Sequence, residues 1–222
     1  MEVAALLSEY RRRADDRVEQ YYVDDEEAMR FASEAEREAC MRANLIFDTE
    51  TEGVAVYDVA SGQTVLQLSP LVLRIDHATF RPSSGGRESC LVLTGIDWIR
   101  EQRGSESRES TYLEALAHVE RTQARLFPIP RVAGTLRLQV YRLPQFALEA
   151  PDDEPEIAEE HHDGLIDWML YRTWSAKDSE QEDPARADRA LADFTARFGE
   201  RPTASVMRRH RERRRVTTRM GF

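Results

Sequence analysis

The sequence predicts an α+β protein, in which a bundle of about four helices is interrupted by an antiparallel β-rich insertion and followed by an extended basic C-terminal arm. Apolar residues recur every three or four positions near both ends of the chain, β-branched and aromatic residues alternate in the middle, and arginine is concentrated after residue 200. The expected divisions are a helical bundle at 1–46 and 155–200, a β insertion at 47–145, an acidic linker at 146–154 and a basic arm at 201–222.

The N-terminal region favours two helices. Asp24, with Glu27 three residues later, is typical of the start of a helix, because the aspartate side chain can accept a hydrogen bond from an unpaired backbone amide. This second helix is expected to end near Ala43. The predicted apolar stripes are Val3, Leu6, Leu7, Tyr10 and Ala14 on the first helix, and Ala28, Phe31, Ala32, Ala35 and Ala39 on the second.

The middle of the chain favours short strands separated by glycine, serine and proline. Leu136, Leu138 and Val140 alternate with polar residues, which is typical of an antiparallel strand with one face in water. A loop is expected at 83–86, a helical turn at 96–99 and a flexible stretch at 103–110. The predicted strands are 54–59, 64–68, 71–80, 88–94, 111–119, 124–127 and 135–142.

Two further helices are expected after an acidic, proline-containing connection. The first should carry Pro155 in its opening turn and His161 on its packing side. The last should have Asp183 as its N-terminal cap, Pro184 at its first position and Gly199 at its end. The predicted packing stripe of this last helix is Ala187, Ala190, Leu191, Phe194 and Phe198.

The distribution of charge is the most informative feature of the composition. The 222 residues carry a net charge of −10, but the last 22 hold eight arginines and one acid, so this segment carries +7 and the rest −17. Such asymmetry indicates an electrostatic partner for the arm. No apolar run approaches the roughly 20 residues of a membrane span, and arginines follow the first apolar residues, which is the wrong order for a secretory signal. We therefore expect synthesis in the cytoplasm and no membrane partner.

Candidate metal and thiol sites are weak. Cys40 and Cys90 lie in different predicted elements without Cys or His at ligand spacing, which argues against a disulfide framework and a structural zinc site; both thiols are expected to be buried. The segment 159–163 reads Glu-Glu-His-His-Asp, but few of its side chains share one face of a helix. Acids that complement a helix dipole are the simpler interpretation.

Catalytic motifs are missing from the sequence. It has no GxSxG and no GxxxxGK[ST], and the loop at 83–86 lacks the lysine of a phosphate-binding loop. The acidic pairs 15–16, 24–25 and 152–153 fall at expected helix or linker edges, where solvated acids are common. We expect a protein that is not an enzyme and that has no cofactor, catalytic residue or metal site.

The arm has three possible interpretations. Its arginines could bind a phosphate backbone, dock on an acidic protein surface through paired hydrogen bonds to carboxylates, or remain solvated. Aromatic residues do not interleave the arginines, which argues against stacking on single-stranded nucleic acid. The residues expected to make a partner contact are Arg208, Arg209, Arg211, Arg213, Arg214, Arg215, Arg219 and Phe222.

Several segments resemble the head-to-tail connector (adaptor) proteins of tailed bacteriophages, which form rings bound to the portal. The resemblance covers residues 24–200 and rests on packing residues, without a chemical signature. The similar segments are 28–44, Ser69-Pro70, Asp97-Trp98, 126–128, 134–144, 161–172 (HHDGLIDWMLYR), Lys177-Asp178 and 187–199.

This resemblance implies a structural virion protein and a subunit of a dodecameric ring on the portal vertex. It implies that the ring extends the DNA channel and provides the tail attachment surface. The implied partners are the portal protein, neighbouring copies of the chain, tail or nozzle proteins, and double-stranded DNA that passes without sequence-specific contacts. It also implies an arm that reaches the portal, a role we assign to Arg208–Arg215, with Phe222 as an apolar anchor. The residues leave one alternative open, a cytosolic nucleic-acid-binding accessory protein that uses the arm.

Overall fold

The chain contains two compact units in the computed structural model, which describes residues 1–18, 21–101, 107–176 and 182–207. The helical unit comprises Met1–Ile46 and Leu143–Pro202, and the β unit comprises Phe47–Arg142 and, of the described residues near the C-terminus, 203–207. Helices occupy the outer parts of the sequence and strands its middle, so the predicted α+β class is confirmed.

Five α-helices have both ends within the described residues, and four of these belong to the helical unit. The cap of the second helix is confirmed by a hydrogen bond from the Glu27 amide to the Asp24 carboxylate at 2.7 Å, and that of the last helix by one from the Arg186 amide to Asp183 at 3.1 Å. The helices are α1 (Val3–Ala14), α2 (Asp25–Ala43), α3 (Ile96–Glu101, in the β unit), α4 (His162–Trp174) and α5 (Pro184–Phe198), with a short 3-10 helix at Glu159–His161.

The core of the helical unit forms where α1, α2 and α5 pack on α4. The predicted stripes of α1 and α2 are buried, as are four of the five predicted residues of α5; Leu191 is only partly buried. The hydroxyl of Tyr10 on α1 lies 2.6 Å from that of Thr173 on α4, so this buried pair satisfies both polar groups. Apolar burial and a few paired polar groups therefore hold these helices together.

The start of α4 differs from the prediction in two ways. The helix begins at His162, so Pro155 lies outside it instead of in its first turn. His162 is also the buried histidine, whereas His161 is partly exposed although its ring packs against that of Phe198, with 6.1 Å between the ring centres. The physical reason lies at Ile157, whose amide donates to the Glu36 carboxylate at 3.2 Å and whose carbonyl contacts Nε2 of His162 at 2.8 Å. These side-chain partners replace the helical hydrogen bonds of the preceding segment.

The part of the β unit that the structure describes contains eleven strands in three sheets. The strands are β1 (Ile46–Asp48), β2 (Val56–Val59), β3 (Val65–Gln67), β4 (Val72–Pro82), β5 (Ser89–Cys90), β6 (Val92–Gly95), β7 (Glu109–Ser110), β8 (Ala115–Glu120), β9 (Gln123–Phe127), β10 (Ile129–Pro130) and β11 (Gly134–Arg142). One sheet has the order β1-β11-β4-β5, with β2 also paired to β11; a second has the order β3-β9-β8-β6; the third pairs β7 with β10.

Most strand pairs are antiparallel, as predicted, but two are parallel: β6 with β8 and β7 with β10. The single strand expected at 88–94 is two strands in different sheets, since β5 pairs with β4 and β6 pairs with β8. The flexible stretch expected at 103–110 falls partly outside the described residues, and its end forms β7. Burial on β11 alternates as its sequence predicted.

The two cysteines have different environments. Cys40 is buried in α2, whereas Cys90 on β5 is exposed, so the prediction of two buried thiols is wrong for Cys90. The reason is register: Cys90 pairs with Thr79 and Ser89 with Phe80, and Phe80 is fully buried. Cys90 therefore lies on the opposite face of the sheet from that core residue.

Candidate partner-binding surfaces

The predicted arm residues Arg208, Arg209, Arg211, Arg213, Arg214, Arg215, Arg219 and Phe222 lie outside the described residues. The preceding segment is described, and its contacts with the helical unit begin at the end of α5. The carbonyl of Gly199 accepts a hydrogen bond from Arg42 at 3.1 Å, and the Arg201 guanidinium lies 3.7 Å from the Glu38 carboxylate. These contacts fix the point at which the basic segment leaves α5.

The negative charge of the protein is concentrated in the helical unit. Met1–Ile46 and Leu143–Pro202 together contain 28 acidic and 13 basic residues, a net charge of −15. The segment Phe47–Arg142 contains 12 acidic and 11 basic residues, a net charge of −1. The segment Thr203–Phe222 contains seven arginines and one acid, a net charge of +6. A partner that recognises the helical unit by charge must therefore be positive.

The connection between β11 and the 3-10 helix is the most acidic part of the helical unit. Its residues from 149 onward, together with the first two residues of the 3-10 helix, form the stretch 149–160, which includes seven acids and no lysine or arginine. The carbonyls of Pro151 and Asp153 accept hydrogen bonds, each 2.9 Å long, from the Ala4 and Val3 amides at the start of α1. The connection therefore caps a helix end whose amides would otherwise be unpaired.

The same connection is also fastened to α2. The amide of Leu148 donates to the Ser33 hydroxyl at 2.8 Å, and Leu148 itself is buried. Backbone amides of Glu149 and Ala150 donate to the Asp153 carboxylate, each at 2.8 Å, and these hydrogen bonds lower the pKa of Asp153 below its usual range. An acidic segment without helix or strand is thus held in a defined conformation.

Phe146 is the most prominent exposed aromatic residue of this connection. It is 76% exposed, while Leu143 and Leu148 on either side of it are buried. The amides of Gln145 and Phe146 both point to one carboxylate oxygen of Glu156, at 2.5 and 3.4 Å. The backbone therefore presents the phenylalanine ring to solvent next to an acidic surface.

A second exposed aromatic group lies on the β unit. The rings of Phe47 on β1 and Tyr141 on β11 are 5.3 Å apart, and the Arg74 guanidinium lies 5.4 Å from the Tyr141 ring. Arg74 is also paired with Asp76 at 2.6 Å. Phe47 is 51% exposed, so it is less exposed than Phe146. The paired charges of Arg74 and Asp76 also leave this patch with less net charge than the acidic surface around Phe146.

The side chains of the acidic and histidine-rich segment 159–163 contact different partners and do not form one cluster. Asp163 pairs with Arg13 on α1 and Arg197 on α5, and the buried His162 contacts a backbone carbonyl through Nε2. Glu159 lies 3.6 Å from the terminal ammonium of Met1. Within the described ranges, no three or more His, Cys, Asp or Glu side chains are placed to hold a metal ion.

The sequence analysis did not identify Phe146 as a functional candidate. A lone phenylalanine between two prolines does not by its pattern distinguish a buried anchor from an exposed one. One signal in the sequence could have identified it: Phe146 is a large apolar residue in an acidic stretch that lacks helical or strand periodicity. The arm was found from charge alone, and its predicted contacts stay predictions.

A comparison with known families addresses the identity of the chain. The sequence profile of the family described as SU10 adaptor protein matches residues 1–220. The chain belongs to this adaptor family. No curated protein matches the chain. The match covers all but the last two of the 222 residues, so it includes the helical unit, Phe47–Arg142 and most of the basic segment.

Membership of a phage adaptor family indicates a structural role at the head–tail junction and a location in the virion. Families of this structural kind are typically non-enzymatic. The adaptor also has no helix, among the residues described, that is both long and apolar enough to cross a bilayer.

Proposed function

We propose that this adaptor assembles as a ring on the portal, extends the DNA channel and provides the surface to which the tail attaches. The profile match over residues 1–220 carries the proposal, because it covers the whole helical unit and all of the remaining chain except its last two residues. A copy number of twelve is part of the same proposal, as are contacts with neighbouring copies and with tail or nozzle proteins.

The separation of charge supports different roles for the acidic helical unit and the basic C-terminal segment. A helical unit with a net charge of −15 disfavours unspecific association of free subunits, because like charges repel. The basic segment can pair with acidic groups on the portal through forked arginine–carboxylate hydrogen bonds. An acidic surface that faces the channel would also repel passing double-stranded DNA, so the DNA would move without adhering to the ring.

The contact with the portal is assigned to Arg208–Arg215, Arg219 and Phe222. Because Gly199 and Arg201 hold the root of the segment against α2, the arm starts from a fixed point on each subunit. Ordering the arm on the portal costs conformational entropy, and the ion pairs that the arm forms with the portal offset this cost. The arm therefore becomes ordered on the portal as the ring docks.

The test is a binding measurement between the purified adaptor and portal rings. In one variant six arginines of the arm, at 208, 209, 211, 213, 214 and 215, are replaced by glutamine. The matched control replaces six exposed arginines of the described residues: Arg17, Arg37, Arg81, Arg87, Arg137 and Arg189. The arm variant should lose portal binding and keep its circular dichroism spectrum, while the control should bind.

A salt series completes this test. Binding through arginine should weaken as ionic strength rises, because salt screens exposed charges over about 10 Å at 0.1 M. Portal affinity that is indifferent to salt, or that is equal in the arm variant and the control, would refute the assigned contact. Tight binding of duplex DNA that is lost in the arm variant alone would favour the accessory nucleic-acid-binding function instead.

A further inference from the structure

We infer that the surface around Phe146 is an interface between copies of this chain, and that it binds the basic C-terminal segment, residues 208–222, of a second copy. The inference goes beyond the proposed portal contact, because it concerns two copies of the chain with no other protein present.

The first argument is the fixed exposure of Phe146. The ring is 76% exposed, yet Leu143 and Leu148 are buried on either side of it. The hydrogen bonds from the Gln145 and Phe146 amides to Glu156 hold the backbone between these two anchors. Because the backbone that carries the ring is already held in place, binding costs little backbone conformational entropy, and this makes Phe146 an effective centre for an interface.

The second argument is the charge around Phe146. Glu149, Asp152 and Glu154 are exposed in the same connection, and Glu156 and Glu160 are exposed close to them in sequence. Two copies of this surface would repel each other, so a symmetric contact of the surface with itself is disfavoured. The surface requires a positively charged partner that also offers an apolar group to Phe146.

The third argument identifies that partner. Of the segments of this chain, only the C-terminal one is strongly positive, with a net charge of +6 over Thr203–Phe222. A fully extended chain of this length, 15 residues at 208–222, spans at most roughly 50 Å, which sets the reach of the segment. Their arginines can pair with the carboxylates, and Phe222 supplies an aromatic ring that can pack on Phe146.

Such a contact joins different surfaces on the two copies. Each copy then offers one acidic surface and one basic segment, so the contact can be repeated from copy to copy and can close into a ring. The arginines of a given segment cannot serve this contact and the portal contact at the same time. Binding to the portal is therefore expected to displace the segment from the neighbouring copy.

The test uses sedimentation velocity of the full-length chain over a concentration series, without the portal. Wild-type chain should self-associate at about 50 mM salt and dissociate at about 500 mM. Phe146→Ser should weaken association about tenfold or more. Phe47→Ser, which alters the exposed phenylalanine of the β unit, is the matched control and should associate like wild type.

Charge variants and a competitor peptide test the identity of the partner. Neutralising Glu149, Asp152 and Glu160 should weaken association, whereas neutralising Asp188, Asp193 and Glu200, which are exposed on or just after α5, should not. A synthetic peptide of residues 208–222 should dissociate wild-type chain, and the same peptide with Phe222→Ser should do so less effectively.

Three results would overturn this inference. They are a wild-type chain that stays monomeric at every concentration in low salt, equal association of Phe146→Ser and Phe47→Ser, and association that the peptide does not affect. None of them bears on portal binding, which the glutamine variants of the arm measure separately. Failure here and failure of the proposed function are therefore distinguishable.

Discussion

Arg42 is the residue whose replacement best tests how the helical unit is held together. Its guanidinium donates to the Glu38 carboxylate at 2.9 Å and to the Thr195 hydroxyl at 2.9 Å. The same group lies 5.0 Å from the Phe194 ring and 5.6 Å from the Trp168 ring. One side chain thus connects α2 with both α4 and α5.

The expected cost of Arg42→Met follows from these contacts. The side chains of Arg42 and Glu38 are only 7% and 5% exposed, so removing the arginine leaves a buried carboxylate without its main partner. Breaking such a pair typically costs about 3–5 kcal/mol. Arg201 remains 3.7 Å from the same carboxylate and partly compensates its charge. We therefore expect a loss of about 3 kcal/mol in the free energy of unfolding, near the lower end of that range.

The assay is urea unfolding followed by tryptophan fluorescence in a Trp98→Phe background, which confines the signal to Trp168 and Trp174 of the helical unit. Arg37→Met, at an exposed position of the same helix, is the control and should change stability by less than about 0.5 kcal/mol. Glu38→Gln should make the Arg42→Met change less costly, because the uncompensated charge is then gone. Additive effects of the two substitutions, or a cost below about 1 kcal/mol for Arg42→Met, would refute this account.

Three further predictions concern the β unit and the cysteines. Burial raises the pKa of Asp48, but hydrogen bonds from Thr51 and Glu50, and from Arg142 at 2.6 Å, lower it well below its usual range. The free energy of unfolding should therefore fall as the pH drops below about 4. Asp48→Asn should reduce this acid sensitivity, measured by urea titrations at several pH values. Gly134→Ala should destabilise the sheet by about 1–3 kcal/mol in thermal unfolding, because the added carbon would lie 2.5 Å from the Phe80 ring and against the Arg81 carbonyl; a neutral effect would contradict this packing. A thiol reagent should label Cys90 in the folded chain and Cys40 only after unfolding, and equal labelling rates would contradict their different burial.

Local signals in the sequence predicted the parts of the fold that depend on neighbouring residues. Asp24 and Asp183 cap helices because the hydrogen bonds involved span only three residues, so the sequence contains both partners. The alternation along β11 predicted its burial for the same reason, since the two faces of a strand follow directly from residue order.

The parts that could not be predicted depend on partners far away in the chain. Pro155 was assigned to a helix because nothing near it shows that the Ile157 amide binds Glu36, 121 residues earlier. The exposure of Cys90 depends on its register against Thr79. The exposure of Phe146 similarly depends on which of its neighbours are anchored in the helical unit. The sequence therefore predicted the charge of the candidate binding surfaces, but it did not predict that Phe146 is exposed among the acidic residues.

The neighbouring positions of β1 and β11 in one sheet determine how the β unit is inserted into the chain. The chain enters the β unit through β1 and leaves it through β11, so the two crossing points are separated by about one strand spacing, near 4.8 Å. An inserted segment whose ends lie so close together can be lengthened, shortened or exchanged without moving the helices on either side of it. The same geometry makes the adaptor suitable for grafting, because a foreign module with adjacent termini could replace residues 49–140 while the acidic connection and the root of the basic segment remain in place.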